Sequence, residues 1–282
     1  MEFLKRDDLM QEREFHIINV GASIITNYQK IKEDFKNIKL SDNFFWQNIL
    51  DNPILMNDIY EFIKKEPKKN SAELNTFLRK IENTENFIEV YFVGTKTPVN
   101  EICVRILERY IKDLGFSVYI SKEFHGYFLE ISKGEDRAKE FVKDALNMLD
   151  HLIRLAQMKK KEGYKVLFNP TGGFKAHVII CALAGFITQS VVYYLNEEFQ
   201  EVITFPPLFY LPKPKEIELL KILLEKKSIS IYEFEKLTEN FKEEIERLEL
   251  YGLIESELDQ HENVYKIRLK NLTQFILKDA KN

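Results

Sequence analysis

The feature that most constrains this chain is a repeated order of segments: a short apolar run, a polar loop with glycine, and then a helical pattern. Residues 15–20, 87–93 and 166–168 are such runs, and residues 116–120 and 191–195 add two more before the pattern ends near Phe205. Short buried runs that alternate with helices are typical of a parallel sheet. The sequence therefore predicts an α/β domain with a Rossmann-like, mainly parallel sheet.

The central stretch is residues 165–176, KVLFNPTGGFKA. Its apolar run breaks at Asn169, and the apolar residues 178–187 after it predict a buried helix. The Gly172-Gly173 pair lets the backbone turn sharply and expose N–H groups at a helix N-terminus, where Lys175 adds a full positive charge. The pattern predicts an anion site, most plausibly for phosphate. The alternative is an ordinary strand-to-helix turn with a solvated lysine. The loop is neither a P-loop nor a GxGxxG dinucleotide motif.

Two other loops have the same character. Gly21 ends the first run and Gly94 ends the second, and each is followed by small hydroxyl-bearing or basic residues. Because the carboxyl ends of parallel strands share one edge of a sheet, the loop after Gly21 could lie near Gly172-Gly173. Helix capping by Ser23 or Asn27 is the alternative for the first loop, and simple exposure of Lys96 is the alternative for the second.

Composition limits the class of protein. The chain has 282 residues, of which 45% are hydrophobic and 30% charged, so it predicts a soluble globular protein with room for two domains. The net charge of -4 gives no general attraction to nucleic acid or anionic membranes. Cys103 and Cys181 lie in apolar helical patterns, which favours reduced core thiols. We expect no metal site, no cofactor, no membrane segment and a cytoplasmic location.

The last quarter of the chain has a different pattern. Residues 205–214 contain four prolines and predict a connection between domains 1–207 and 208–282. Helical segments at residues 216–225, 232–237 and 239–250, followed by alternation at 264–269, predict a small C-terminal winged helix-turn-helix domain. Residues 239–250, the segment that would read DNA, carry five acids and two bases. A DNA-reading helix should be basic, so we favour a dimerisation or scaffolding role.

Together these features resemble the CRISPR-associated Rossmann fold (CARF) proteins of type III CRISPR systems. The resemblance rests on VGASIITN after the first strand, NPTGGFKA after a later strand, and the winged-helix ending. It implies a homodimer that binds a cyclic oligoadenylate messenger across its two-fold interface. The implied ligand is cyclic tetra-adenylate, with the hexa-adenylate as second choice.

The resemblance also implies roles for residues of the three loops. Lys175 and Ser23 are predicted as catalytic. The predicted ligand-binding residues are Gly21, Ala22, Thr26, Asn27, Thr95, Lys96, Asn169, Thr171, Gly172, Gly173 and Phe174. His177 is predicted to be a core or interface histidine rather than an acid or base.

Two outputs remain after one is excluded. The chain has no arginine followed by histidine at the Arg-x4-6-His spacing of the family's HEPN ribonucleases. One output is a ring nuclease that opens the messenger without metal: a ribose 2′-OH attacks the neighbouring phosphorus and leaves a 2′,3′-cyclic phosphate, while Lys175 stabilises charge and Ser23 orients the 2′-OH or the phosphate. This would switch off type III CRISPR signalling in antiviral defence. The alternative output is a messenger-responsive, DNA-binding transcriptional regulator without nuclease activity. A third possibility is a protein that only binds and sequesters the messenger.

Overall fold

The apolar runs of the first 207 residues form one six-stranded sheet in the computed structural model, which describes residues 12–120, 137–205, 212–226, 229, 231–251, 253–258 and 264–269. The strands are β1 (Arg13–Asn19), β2 (Phe87–Val93), β3 (Ser117–Val118), β4 (Lys165–Asn169), β5 (Val191–Asn196) and β6 (Glu201–Phe205). Their order is β3-β2-β1-β4-β5-β6, and every neighbouring pair is parallel except β5 and β6. The predicted α/β fold with a mainly parallel sheet is confirmed.

Helices cover both faces of this sheet. They are α1 (Ser23–Ile31), α2 (Asn43–Leu50), α3 (Pro53–Lys65), α4 (Pro67–Asn70), α5 (Ala72–Lys80), α6 (Pro98–Asp113), α7 (Arg137–Lys161) and α8 (Lys175–Ile187). Alternate side chains of β1 divide between two cores: Ile18 belongs to the core with α1, α2, α3, α5 and α6, and Phe15 and Ile17 belong to the core with α7 and α8. Cys103 and Cys181 are free and buried, one in each core. The result is a three-layer arrangement with the sheet in the middle.

The sheet differs from the sequence pattern at its edge. The run at residues 116–120 predicts a five-residue strand, whereas β3 has two residues, Ser117 and Val118. Ile120 is exposed, so this run lacks the burial that holds a central strand in place.

The chain divides into two compact units, Met1–Pro207 and Leu208–Asn282. The second contains α9 (Pro214–Lys226), α10 (Ile231–Leu250) and an antiparallel hairpin of β7 (Ile254–Leu258) and β8 (Val264–Leu269). The sequence predicts two helices here, at residues 232–237 and 239–250, and α10 does consist of two helices that meet at a kink. The kink lies at the non-helical residue Phe241, a few residues later than the predicted break. The predicted proline-rich connection lies mostly outside the described residues. Within the described ranges no helix is both long and apolar enough to cross a bilayer.

Candidate functional site

Two loops meet where the strand order of the sheet reverses direction. β1 and β4 are neighbours in the sheet, but β1 leads onward to β2 on one side while β4 leads to β5 on the other. Asn19, at the end of β1, donates a hydrogen bond from its amide to the carbonyl of Gly172 in the loop after β4. In open α/β sheets such a reversal leaves a crevice beyond the carboxyl ends of the strands, where ligands bind.

The two glycines of the second loop serve different purposes. Gly173 has φ +91°, a conformation that other residues rarely adopt. Gly172 does not, but a Cβ placed on it would lie 2.6 Å from the carbonyl oxygen of Asn19 and 2.7 Å from the nitrogen of Gly21, and would also overlap a carboxylate oxygen of Glu73. One glycine therefore makes the turn and the other allows the two loops to touch.

A cavity of about 660 Å³ opens beside this contact. It is lined by the loops after β1, β2 and β4 and by the segment that precedes and begins α2. The lining residues are Val20, Gly21, Ala22, Lys39, Leu40, Ser41, Asn43, Thr95, Thr97, Val99, Asn100, Gly173 and Phe174. They include a lysine and no acidic residue. The volume is typical of a small-molecule site.

The structure brings some of the predicted site residues to this cavity and not others. Gly21, Ala22, Thr95, Gly173 and Phe174 line it. The predicted residues outside its lining are Ser23, Thr26, Asn27, Lys96, Asn169, Thr171, Gly172 and Lys175.

Two of the helices that begin at the cavity, α1 and α8, lack side-chain caps. The N-cap residues of α1 and α8 are Ala22 and Phe174, and neither makes a side-chain cap hydrogen bond. By contrast, side chains cap α2, α3, α5 and α6: these are Asp42, Asn52, Ser71 and Thr97. The first turns of α1 and α8 also contain no acid. The N–H groups and positive dipole end of α8 are thus available to an anion. At the start of α1 the carboxylate of Glu73 already accepts the Gly21 N–H and the Ser23 hydroxyl.

Three lysines near the cavity are exposed, and their side-chain ammonium groups have no partner among the described residues. Lys39 lines the cavity, Lys96 lies between the lining residues Thr95 and Thr97, and Lys175 follows Phe174 as the first residue of α8. A cation that lacks a protein carboxylate remains available for an anionic ligand.

The predicted residues of α1 contact neighbouring segments of the protein. The Ser23 hydroxyl donates to Oε2 of Glu73 at 2.6 Å and accepts the N–H of Ala72 at 3.1 Å. The amide of Asn27 donates to the carbonyl of Asn70 at 3.2 Å. Thr26 donates to the carbonyl of Ser23. Capping of α1 by Ser23 or Asn27 is thus wrong, since its N-terminus has no side-chain cap.

Asn169 and Thr171 shape the second loop from within. Oδ1 of Asn169 accepts the N–H of Thr171 at 3.2 Å and its hydroxyl at 2.5 Å, which closes an Asx turn around Pro170. The Thr171 hydroxyl also lies 3.1 Å from that of Thr76 on α5. Both residues hold the loop in place.

Sequence reasoning missed four residues that build this site. Asn100, buried on α6, donates to the carbonyl of Val20 at 2.8 Å, and its amide fills the space where Gly94 lacks a side chain. Asn19, Lys39 and Glu73 complete the set. A polar residue at the end of a buried strand could have drawn attention to Asn19. The other three have no local signal.

His177, on α8, is buried, and its titration should make the free energy of unfolding depend on pH. Burial lowers the pKa of His177 to about 4, whereas an unfolded histidine titrates near 6.5. As pH falls, the unfolded chain takes up the proton first, so stability is lost below about pH 6.5 and the loss levels off below about pH 4. From about pH 7.5 to about pH 5 the loss is about 2 kcal/mol.

The His177→Gln variant lacks this titration, so its free energy of unfolding should fall by about 2 kcal/mol less than that of the wild type between the two pH values. Urea unfolding at both values measures the difference. Parallel pH dependence of the two proteins would contradict it. With so low a pKa, His177 is neutral at neutral pH and is no general acid there.

Comparison with known proteins now places the chain. Residues 68–208 match a family described as CRISPR-associated protein (Cas_APE2256). The chain belongs to this family. The matched residues include Glu73 and the whole loop after β4, and they cover half of the chain. No curated protein matches it.

One similar solved structure is the crystal structure of protein VC1899 from Vibrio cholerae. It is 7% identical, with a TM-score of 0.37, and the match covers 93% of this chain and 63% of that one. The chain thus spans less than two thirds of the length of VC1899, and a likeness at this TM-score carries no argument about function.

Proposed function

We propose that this CRISPR-associated protein binds cyclic tetra-adenylate and opens the ring by attack of a ribose 2′-OH on the neighbouring phosphorus. The observation that carries the proposal is the meeting of two uncapped helix N-termini at a cavity whose lining contains no acid. The resemblance of the two loop motifs to CARF proteins supplies the ligand class. The family match supports a CRISPR-related role.

The arrangement suits a phosphodiester ring. Free N–H groups at a helix start bind phosphate oxygens without any side-chain charge, and Lys39 and Lys175 add cations. The apolar lining residues Leu40 and Val99 offer surface on which a base could rest. A ring with internal symmetry fits a two-fold interface, so we propose a homodimer in which each protomer supplies the same loops.

The proposed reaction needs geometry more than a cofactor. The 2′-O–phosphorus bond forms as the bond to the 5′-oxygen breaks, the 2′-OH proton is lost, and the departing 5′-oxygen gains a proton. The protein must hold the 2′-oxygen in line with the phosphorus and the leaving 5′-oxygen, and it must stabilise the charge on the phosphate oxygens. Among the described residues no group of three or more His, Cys, Asp or Glu could hold a metal ion. Cleavage in the presence of a chelator tests whether the reaction needs a metal ion.

The decisive experiment is incubation of the purified protein with cyclic tetra-adenylate in EDTA, with products separated by liquid chromatography and identified by mass spectrometry. The proposal predicts linear adenylates that end in a 2′,3′-cyclic phosphate. Tight binding with an intact ring would instead favour a sensor. Cyclic hexa-adenylate is tested in parallel as the second ring. Light scattering with and without ligand tests the homodimer.

Lys39 offers a prediction about affinity. Its carbonyl accepts the indole N–H of the buried Trp46 at 3.0 Å, which anchors this segment at the cavity wall. Lys39→Ala should weaken binding of cyclic tetra-adenylate roughly twofold to fivefold, as expected for one exposed charge. Lys36→Ala is the matched control, because the Lys36 ammonium already pairs with Glu33 at 3.3 Å. Equal affinities of the two variants in calorimetry would show that Lys39 does not contribute to ligand binding.

A second candidate is a messenger-responsive DNA-binding regulator. Three helices, namely α9 and the two parts of α10, followed by a β-hairpin are compatible with the predicted winged helix-turn-helix. The second half of α10 carries exposed acids at Glu243, Glu246 and Glu249, which disfavours contact with phosphates. A gel shift with upstream promoter DNA at low salt, with and without cyclic tetra-adenylate, tests it. Absence of any shift would count against the regulator.

A further inference from the structure

A buried carboxylate lies between the two loops of the site. Glu73, near the start of α5, is only 1% exposed. Its Oε1 accepts the N–H of Gly21 at 2.8 Å, and its Oε2 accepts the hydroxyls of Ser23 at 2.6 Å and Ser71 at 2.8 Å. The missing side chain of Gly172 leaves the space that Oε1 occupies. Glu73 thus touches both loops from inside the protein and accepts hydrogen bonds with both of its oxygens.

These contacts determine how the Ser23 hydroxyl can meet a ligand. A serine hydroxyl has one hydrogen to donate and two lone pairs to accept with. Ser23 donates its hydrogen to Glu73, and one lone pair accepts the N–H of Ala72. The second lone pair has no donor among the described residues. Ser23 is half-buried and directly follows the lining residue Ala22, so a ligand in the cavity can approach its hydroxyl. A group that binds Ser23 must therefore donate a hydrogen bond to it.

We propose that Glu73 is a positioning residue that makes Ser23 a hydrogen-bond acceptor, so that Ser23 binds a ribose hydroxyl of the ligand and not a phosphate oxygen. This inference rests on the proposed function. A phosphodiester oxygen has no hydrogen to donate, whereas a ribose 2′-OH has one. In the proposed reaction that hydroxyl is the attacking group, and its alignment with the phosphorus limits the rate.

Replacement by glutamine reverses the hydrogen bond. The amide of Glu73→Gln can still accept the Gly21 N–H through its oxygen, and its NH2 group then donates to Ser23. Both lone pairs of Ser23 are then in use and its hydrogen is free, so Ser23 changes from an acceptor to a donor. The side chain keeps nearly the same shape, which separates this effect from a change in packing.

The experiment compares the affinities of cyclic tetra-adenylate and its all-2′-deoxy analogue, measured by calorimetry at low temperature so that the ring stays intact. We expect the wild type to bind the ribose ring roughly threefold to tenfold more tightly than the deoxy ring, since one hydrogen bond contributes a difference of that size. Glu73→Gln and Ser23→Ala should each lose a preference of that size. Ser71→Ala is the matched control: it removes another donor to the same carboxylate, together with the side-chain cap of α5. Once thermal unfolding shows that it is folded, it should keep the wild-type preference.

Each outcome decides a different point. A wild type that binds neither ring overturns the proposed function, and the inference with it. A wild type that prefers the ribose ring, with the same preference in Ser23→Ala, overturns the inference alone. So does an unchanged preference in Glu73→Gln, provided that thermal unfolding shows a folded variant. The Ser23→Ala result decides the matter even where Glu73→Gln does not fold.

Discussion

Replacement of Lys175 by alanine is expected to abolish ring opening. Lys175 is exposed, begins α8 and has no partner among the described residues, so its ammonium can reach a phosphate at the helix N-terminus. In the proposed reaction it stabilises charge on the phosphate oxygens or on the leaving 5′-oxygen. Loss of one such group typically costs roughly 100-fold to 1,000-fold in rate. Single-turnover cleavage of cyclic tetra-adenylate in EDTA measures the effect.

The control for this prediction is Lys165→Ala. Lys165 lies at the opposite end of β4 and pairs with Glu12 at 3.4 Å, so the variant removes one lysine from the same strand-and-loop segment without touching the cavity. It should cleave at the wild-type rate. Undiminished turnover in Lys175→Ala would end the proposed role of this lysine, whatever the ligand affinity.

Gly172→Ala is the second change with a large expected effect. The added methyl group would overlap the Glu73 carboxylate and backbone atoms of Asn19 and Gly21. Backbone atoms cannot rotate away, so the two loops must separate. We expect a loss of about 3 kcal/mol in the free energy of unfolding, at the upper end of overpacking effects, together with a loss of measurable affinity for cyclic tetra-adenylate. Urea unfolding and calorimetry provide the two measurements.

Gly163→Ala separates this clash from a simple effect of glycine replacement. Gly163, which follows α7, has φ +85° but open space where a Cβ would lie. The variant should lose only about 1 kcal/mol, the cost of placing a side chain on a left-handed backbone, and should bind the ring normally. If Gly172→Ala had the same stability and ligand affinity as Gly163→Ala, the close contact of the two loops would be needed neither for folding nor for binding.

The architecture of the first unit could be read from the sequence because its signals are local. A buried strand in a parallel sheet is a nearly continuous apolar run. Residues 166–168 have that form, and so do residues 87–93 apart from Glu89. The meeting of the loops after β1 and β4 follows from the same rule, since the carboxyl ends of parallel strands share one edge. The limit of this reasoning is seen at β3, where an apolar run lies at the edge of the sheet and only two residues pair.

The sequence alone determined the α/β class and the glycine loops, because strand periodicity and glycine are properties of neighbouring residues. Only the tertiary structure decided what surrounds those loops. Lys39 reaches the cavity from a segment with no motif, and Glu73 meets Gly21 across 52 positions of chain. The tertiary structure also decided that the Ser23 hydroxyl donates its hydrogen to Glu73. A hydrogen bond between distant residues depends on how the helices pack, and that packing leaves no periodic trace in the sequence.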